Sequence, residues 1–203
     1  SEDAPAAPGS RRCCTAAGCL SSGSKAVAEG LEAAIARAGL ADTVQVGEVG
    51  CMRLCCEGPL IQVDPDGPLY ERVTPADAPT IIAALGGGKS APRRGDPARP
   101  FFARQMAVVL ENSGLVEPDR IESYIEAGGY RALYQVLRDM SPPEVVEEIT
   151  RSGLRGRGGA GYPTGVKWGM LAKQEAERKF VVCNADEGDP GAFMDRSVLE
   201  SDP

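Results

Sequence analysis

The residues best suited to chemistry in this chain of 203 are its seven cysteines. Cys14 and Cys19 are spaced C-x4-C, and Cys51 and Cys55 are spaced C-x3-C. Thiols arriving as two loop-borne pairs can hold a tetrahedral ion or an inorganic cluster. The first pair falls between an expected opening strand and a helix, the second between two expected strands. Gly18, Gly50 and Gly58 lower the steric cost of folding backbone around inorganic atoms. The spacing leaves three readings open: an iron–sulfur cluster, a zinc ion on four thiolates, or a set of unrelated buried thiols. Zinc pairs commonly have the tighter C-x2-C spacing. Cys13 and Cys56 each adjoin a candidate ligand. Neighbours in extended backbone point to opposite sides, so these two are expected to be small buried thiols. Cys183 is expected to be a buried strand residue.

A second constellation spans residues 153–169, Gly-Leu-Arg-Gly-Arg-Gly-Gly-Ala-Gly-Tyr-Pro-Thr-Gly-Val-Lys-Trp-Gly. Gly156, Gly158 and Gly161 formally match G-x-G-x-x-G. The dinucleotide fingerprint also needs a strand just before the loop, and here a capped helix precedes it. A P-loop is excluded because Trp168 follows Lys167. From Arg151 to Lys173 the chain carries basic residues and no acidic one. Glycines let backbone N–H groups approach a phosphate, and a helix is expected from about Thr164. An anion or flat ligand accounts for this glycine density better than a solvated loop does. Asp186, Glu187 and Asp189 cluster just after an expected short buried strand at Lys179–Cys183. Ligands of open α/β sheets gather at such strand ends. A solvated loop and a divalent cation site are the other readings of this cluster.

Composition removes several classes of activity. There is no histidine, which excludes Ser-His-Asp and Cys-His catalysis, His-ligated zinc and Rieske ligation. The net charge of −7 makes the chain a poor general binder of nucleic acid or anionic membrane. No apolar run approaches a membrane span, and the acidic, Pro-rich start lacks the features of a signal peptide. The expectation is a cytoplasmic protein whose thiols serve metal or redox chemistry.

The elements that must position these residues fall into an α/β pattern. Residues 1–12 read as a tail and 13–85 as a small domain. A helix capped by Ser22 or Ser24 runs to about Ala38, with Val27, Leu31 and Ile35 on one face. Strands are expected at Thr43–Val49, Pro59–Val63 and Pro68–Val73, the last two joined by an Asp64–Gly67 turn. Thr74–Asp77 caps a helix ending near Leu85. Residues 86–100, rich in Gly, Pro and Arg, read as a linker. Residues 101–203 form a second unit. In it, Pro118–Ala127 and Gly129–Met140 look helical. Ser141-Pro-Pro-Glu144 is a capping box for a helix to about Arg151 that buries Val145, Val146 and Ile149. A further helix is expected around Val166–Glu177.

Residues 13–63, with Cys-Cys-Thr-Ala-Ala-Gly-Cys, Val-Gly-Cys-Met-Arg-Leu-Cys and Gly-Pro-Leu-Ile-Gln-Val, resemble the thioredoxin-like 2Fe–2S ferredoxin domain. The resemblance implies a one-electron carrier with Cys14, Cys19, Cys51 and Cys55 as ligands. Ser152–Trp168 and Cys183–Arg196 resemble the FMN- and NADH-binding subunit of complex I and its relatives. That likeness implies Gly156, Gly158, Gly159, Lys167, Asn184, Asp186 and Glu187 around FMN, and Tyr162 and Asp189 on the NAD side. Tyr162 stands where the family commonly has Phe, and Asp189 where complex I members usually have Glu. The order of the two modules is similar to the diaphorase subunit of bidirectional NAD-reducing nickel–iron hydrogenases. Equivalent subunits of NAD-dependent formate dehydrogenases and electron-bifurcating hydrogenases share it. The resemblance implies hydride exchange between NAD(H) and FMN, one-electron transfer through clusters, and partner subunits of a multi-subunit complex. It implies no nucleic acid partner and no direct membrane insertion. It also implies that the chain is a C-terminally truncated fragment, with a 4Fe–4S cluster expected in the missing part. A non-catalytic electron-transfer fragment is the contrasting expectation.

Overall fold

The computed structural model describes residues 10–64, 67–85, 92–96 and 98–203. The expected N-terminal tail up to residue 9, the middle of the Asp64–Gly67 turn and residues 86–91 lie outside them. The chain forms two compact units. One takes in the described residues up to Ala127 together with Ala185–Pro203, and the other is Gly128–Asn184.

The first unit is built on a five-stranded sheet: β1 (Arg11–Cys14), β2 (Val46–Val49), β3 (Ile61–Val63), β4 (Leu69–Tyr70) and β5 (Arg94–Gly95). Their order is β2-β1-β3-β4-β5. β1 and β2 are parallel, with Cys14 opposite Val49, and the remaining pairs are antiparallel. A parallel pair needs a crossover, and α2 (Ser24–Arg37) supplies it after the short helix α1 (Ala17–Ser21). α2 starts after Gly23 in left-handed conformation (φ 91°), with no side-chain cap, so neither Ser22 nor Ser24 caps it. Its buried stripe of Val27, Leu31 and Ile35 packs with Ile61, Val63 and Tyr70 from the sheet and with Ile81 and Ile82 of α3 (Ala78–Leu85). Thr74 and Asp77 form the expected capping box at the turn before α3.

The described part of the expected linker is structured. β5 pairs with β4, and Arg93 and Arg99 both form ion pairs with Glu71, the former at 3.1 Å. Glu71 is buried, so its charge needs these guanidinium partners. Beyond it lie α4 (Pro100–Ala103), α5 (Ile121–Glu126) and, at the far end of the chain, α9 (Met194–Leu199).

The second unit contains α6 (Arg131–Asp139), α7 (Pro142–Ser152) and α8 (Thr164–Ala172). The Ser141 hydroxyl donates to Glu144 at 2.5 Å and the Ser141 N–H at 2.7 Å, the capping box expected there. α7 and α8 cross closely. A Cβ on Gly165 would run into the backbone of Thr150, so only glycine permits that crossing. Two expectations are corrected here. Val145, Val146 and Ile149 are half-buried, because α7 packs chiefly on α8. Lys179–Cys183 is irregular and exposed, with Phe180 at 79 % and Val182 at 83 %. A strand is completed by a partner strand, and among the described residues none pairs with this apolar run.

Candidate functional site

The four paired cysteines converge at the carboxyl ends of the parallel strands. Cys14 ends β1, Cys19 lies in α1, Cys51 follows β2, and Cys55 opens a single 3-10 turn, Cys55–Glu57. The thiols form a row. Cys14 and Cys19 share one buried cluster with Cys51 packed against it, and the Cys51 and Cys55 Sγ atoms are 3.8 Å apart. Alternation along β1 separates the neighbours. Cys13 faces the core beneath α2 and α3, where its Sγ contacts the Ser24 carbonyl, while Cys14 joins Cys19, Leu54, Leu60 and Leu69 on the other side. Cys56 is exposed, not buried as expected, because the 3-10 turn carries it outward. Cys183 is also exposed.

Glycines line the row closely. A Cβ on Gly58 would sit 2.7 Å from the Cys19 Sγ, and one on Gly18 would sit 3.2 Å from the Cys55 Sγ. The Cys51 Sγ also accepts the Arg53 N–H at 3.2 Å. Crowding makes the thiols compete for protons. Cys14 is pushed up to about 11, mainly because its S–H serves Cys19, and the same bond lowers Cys19. Cys51 is raised, first by its bond to Cys14 and then by burial, and Cys55 is raised by burial. Thiols that coordinate a metal are deprotonated outright. Among the described residues no group of three or more Cys, Asp or Glu is gathered tightly enough for a single ion. Two thiol pairs walled by glycine are a donor set that could hold a binuclear iron–sulfur cluster.

In the second unit the glycine loop between α7 and α8 is closed by hydrogen bonds. The Gly156 N–H donates to the Tyr162 carbonyl at 2.8 Å and the Thr164 N–H to the Leu154 carbonyl at 2.9 Å. Arg155 Nη1 donates to the Gly161 carbonyl at 2.8 Å. Lys167 folds back over this loop. Its Nζ is 6.0 Å from the Tyr162 ring centre, and a Cβ on Gly156 would lie 3.0 Å from it. Gly158, Gly159 and Gly161 face open space, and Gly159 has φ +96°. The structure thus brings together Gly156, Tyr162 and Lys167 beside an open glycine face. An ammonium group and an unobstructed backbone fit a phosphate-bearing, flat ligand.

The acidic residues are placed differently. Asn184 ends the second unit, while Asp186, Glu187 and Asp189 belong to the first. Glu187 Oε1 accepts the Arg196 N–H at 2.9 Å and so caps α9, a structural task the sequence did not reveal. Asp186 Oδ2 would be 3.1 Å from a Cβ on Gly188. Sequence reasoning also missed Ser113 and Ser201, whose hydroxyls bond the Cys51 backbone.

Four cysteines gather at the carboxyl ends of a parallel strand pair, beside a sheet covered by α2 and α3. Residues 3–86 match the family model for the thioredoxin-like [2Fe-2S] ferredoxin, and residues 149–203 match that for the Nuo51 FMN-binding domain. The chain therefore resembles that ferredoxin over its first part and the FMN-binding domain over its last part. It is 54 % identical over 100 residues to the NADP-reducing hydrogenase subunit HndC of Solidesulfovibrio fructosivorans, covering 49 % of this chain and 20 % of that protein. It is 36 % identical over 157 residues to the NAD-reducing hydrogenase HoxS subunit alpha of Cupriavidus necator, covering 75 % and 25 %. Among solved structures, the thioredoxin-like [2Fe-2S] ferredoxin of Aquifex aeolicus is similar at 28 % identity and TM-score 0.37, covering 41 % of this chain and 91 % of that one. The chain spans about a fifth to a quarter of the length of these hydrogenase relatives. No helix among the described residues is long and apolar enough to cross a membrane.

Proposed function

We propose that the chain is a diaphorase module that exchanges electrons between NAD(H) and a partner hydrogenase-type subunit. The observation that carries this reading is the row of Cys14, Cys51 and their neighbours Cys19 and Cys55, fused to a Nuo51-type segment. In this reading the four thiols hold a 2Fe–2S cluster, and Gly156, Gly158, Gly159 and Lys167 hold FMN. Asn184 would join the flavin site and Tyr162 the nucleotide side, while Asp186, Glu187 and Asp189, which belong to the other unit, are assigned to FMN and NAD by the resemblance alone. FMN held there would supply hydride exchange with NADH, and a cluster on the thiols would supply one-electron transfer.

The chain's own residues position these groups. Lys167 balances phosphate charge, and the open face at Gly158 lets a flat ring approach the backbone. Gly18 and Gly58 keep Cβ atoms away from the thiols. Leu54, Leu60 and Leu69, with Met52 and Phe102 beside them, exclude water from the inner side of the row. Seven free thiols fit a reducing cytoplasmic setting, and the named relatives are subunits of larger assemblies.

The test is anaerobic addition of NADH to the protein in its native assembly, followed by visible absorbance. The expected result is bleaching of a cluster band that requires bound FMN. A cluster that stays oxidised with FMN and NADH both present contradicts the proposal.

A further inference from the structure

The loop that carries Cys51 is held from outside the ferredoxin sequence. The Cys51 N–H donates to the Ser201 hydroxyl at 2.8 Å, and the Ser113 hydroxyl donates to the Cys51 carbonyl at 2.5 Å. Ser201 is fully buried and Ser113 nearly so. Gly50 admits this contact, since a Cβ there would collide with the Ser201 backbone. The clamp is itself anchored. Asp202 accepts the Asn112 N–H at 2.8 Å, and Arg12 Nη1 on β1 donates to the Gly114 carbonyl at 2.6 Å while pairing with Asp64. Ser201 stands at the end of α9, whose start is capped by Glu187. One short helix of the Nuo51-type segment thus runs from an acidic-loop residue to a thiol-bearing loop.

We infer that Ser201 and Ser113 are positioning residues that let the Nuo51-type segment set the geometry and potential of the cluster site. The inference rests on the proposed reading of Cys14, Cys19, Cys51 and Cys55 as cluster ligands. A peptide N–H near a cluster raises its potential when it donates to a sulfur, because it stabilises the added electron. Here the Cys51 N–H is committed to Ser201. Removing that hydroxyl frees the N–H for sulfur or water and loosens the loop. Loss of one buried hydrogen bond is worth roughly a fivefold change in an equilibrium.

The test is Ser201→Ala in the full protein, with Ser197→Ala as the control. Ser197 lies on the same helix, and its hydroxyl donates to the Phe193 carbonyl of that helix's own first turn. Ser201→Ala is expected to raise the cluster potential, alter the g-values of the reduced cluster and speed iron loss to a chelator by about fivefold. Ser197→Ala is expected to change none of these. Amide exchange at Gly50–Met52 gives a readout that needs no cluster, and it is expected to rise by about the same factor in Ser201→Ala. Should Ser201→Ala misfold, Ser113→Ala tests the other arm of the clamp by the same measurements. Unchanged potential, g-values and exchange in a folded variant overturn the inference and leave the ligand assignment standing. A parent protein that binds no iron after reconstitution overturns the ligand reading instead.

Discussion

Lys167 places an ammonium group against Gly156 and beside the open face of Gly158. A hydrogen bond to an ionised partner is worth about 1.5–3 kcal/mol, and exposure of the side chain moves the value toward the lower end. Lys167→Met is therefore expected to weaken FMN binding about tenfold, read by titration of flavin fluorescence. Unchanged affinity would place the lysine outside the site. Gly158→Val tests ligand approach more cleanly than a change at Gly159, whose φ of +96° would strain any side chain. At this scale the sequence was readable where the rule is local. Two-residue alternation separated Cys13 from Cys14. Ser201 was invisible because its contact with Cys51 spans 150 residues and no spacing encodes it.

Among elements, α7 shows most directly how a local motif becomes stability. Glu144 accepts the Ser141 hydroxyl and N–H, and both bonds hold its carboxyl below the ordinary 4.5. A carboxyl lowered in the folded state contributes stability that is present above its unfolded value. That contribution is lost as pH falls through the lowered folded value. Far-UV ellipticity of the native protein is therefore expected to fall on acidification below the ordinary glutamate range, and Glu144→Gln is expected to flatten that acid limb. An identical acid profile in Glu144→Gln would show that the cap does not couple to folding. The capping boxes at Thr74 and Ser141 were legible because their signal lies within four residues. β5 was not, since Arg94–Gly95 has no strand propensity and is drawn into the sheet by the open edge of β4 and by Glu71. The opposite error occurred at Lys179–Cys183, where an apolar run has the composition of a strand but no partner strand among the described residues.

At the scale of the whole molecule, a segment resembling the thioredoxin-like ferredoxin and one resembling the FMN-binding domain share one chain. The ferredoxin-like part was legible where an element carries its own period or cap, as the apolar stripe of α2 and the Thr74–Asp77 box do. The division of the chain was less so. Ala185–Pro203 packs with the first unit, although its sequence continues the flavin-type segment, because Ser201 and Asp202 bond residues 51 and 112. The central claim is that Cys14, Cys19, Cys51 and Cys55 hold one binuclear cluster. It is tested most directly by iron and acid-labile sulfide analysis with paramagnetic resonance of the dithionite-reduced protein, across serine variants of the six N-terminal cysteines. The account predicts two irons and two sulfides per chain. It predicts loss or spectral change in Cys14→Ser, Cys19→Ser, Cys51→Ser and Cys55→Ser, and a native signal in Cys13→Ser and Cys56→Ser. A cluster lost in Cys56→Ser or Cys13→Ser but retained unchanged in Cys14→Ser or Cys55→Ser would contradict it.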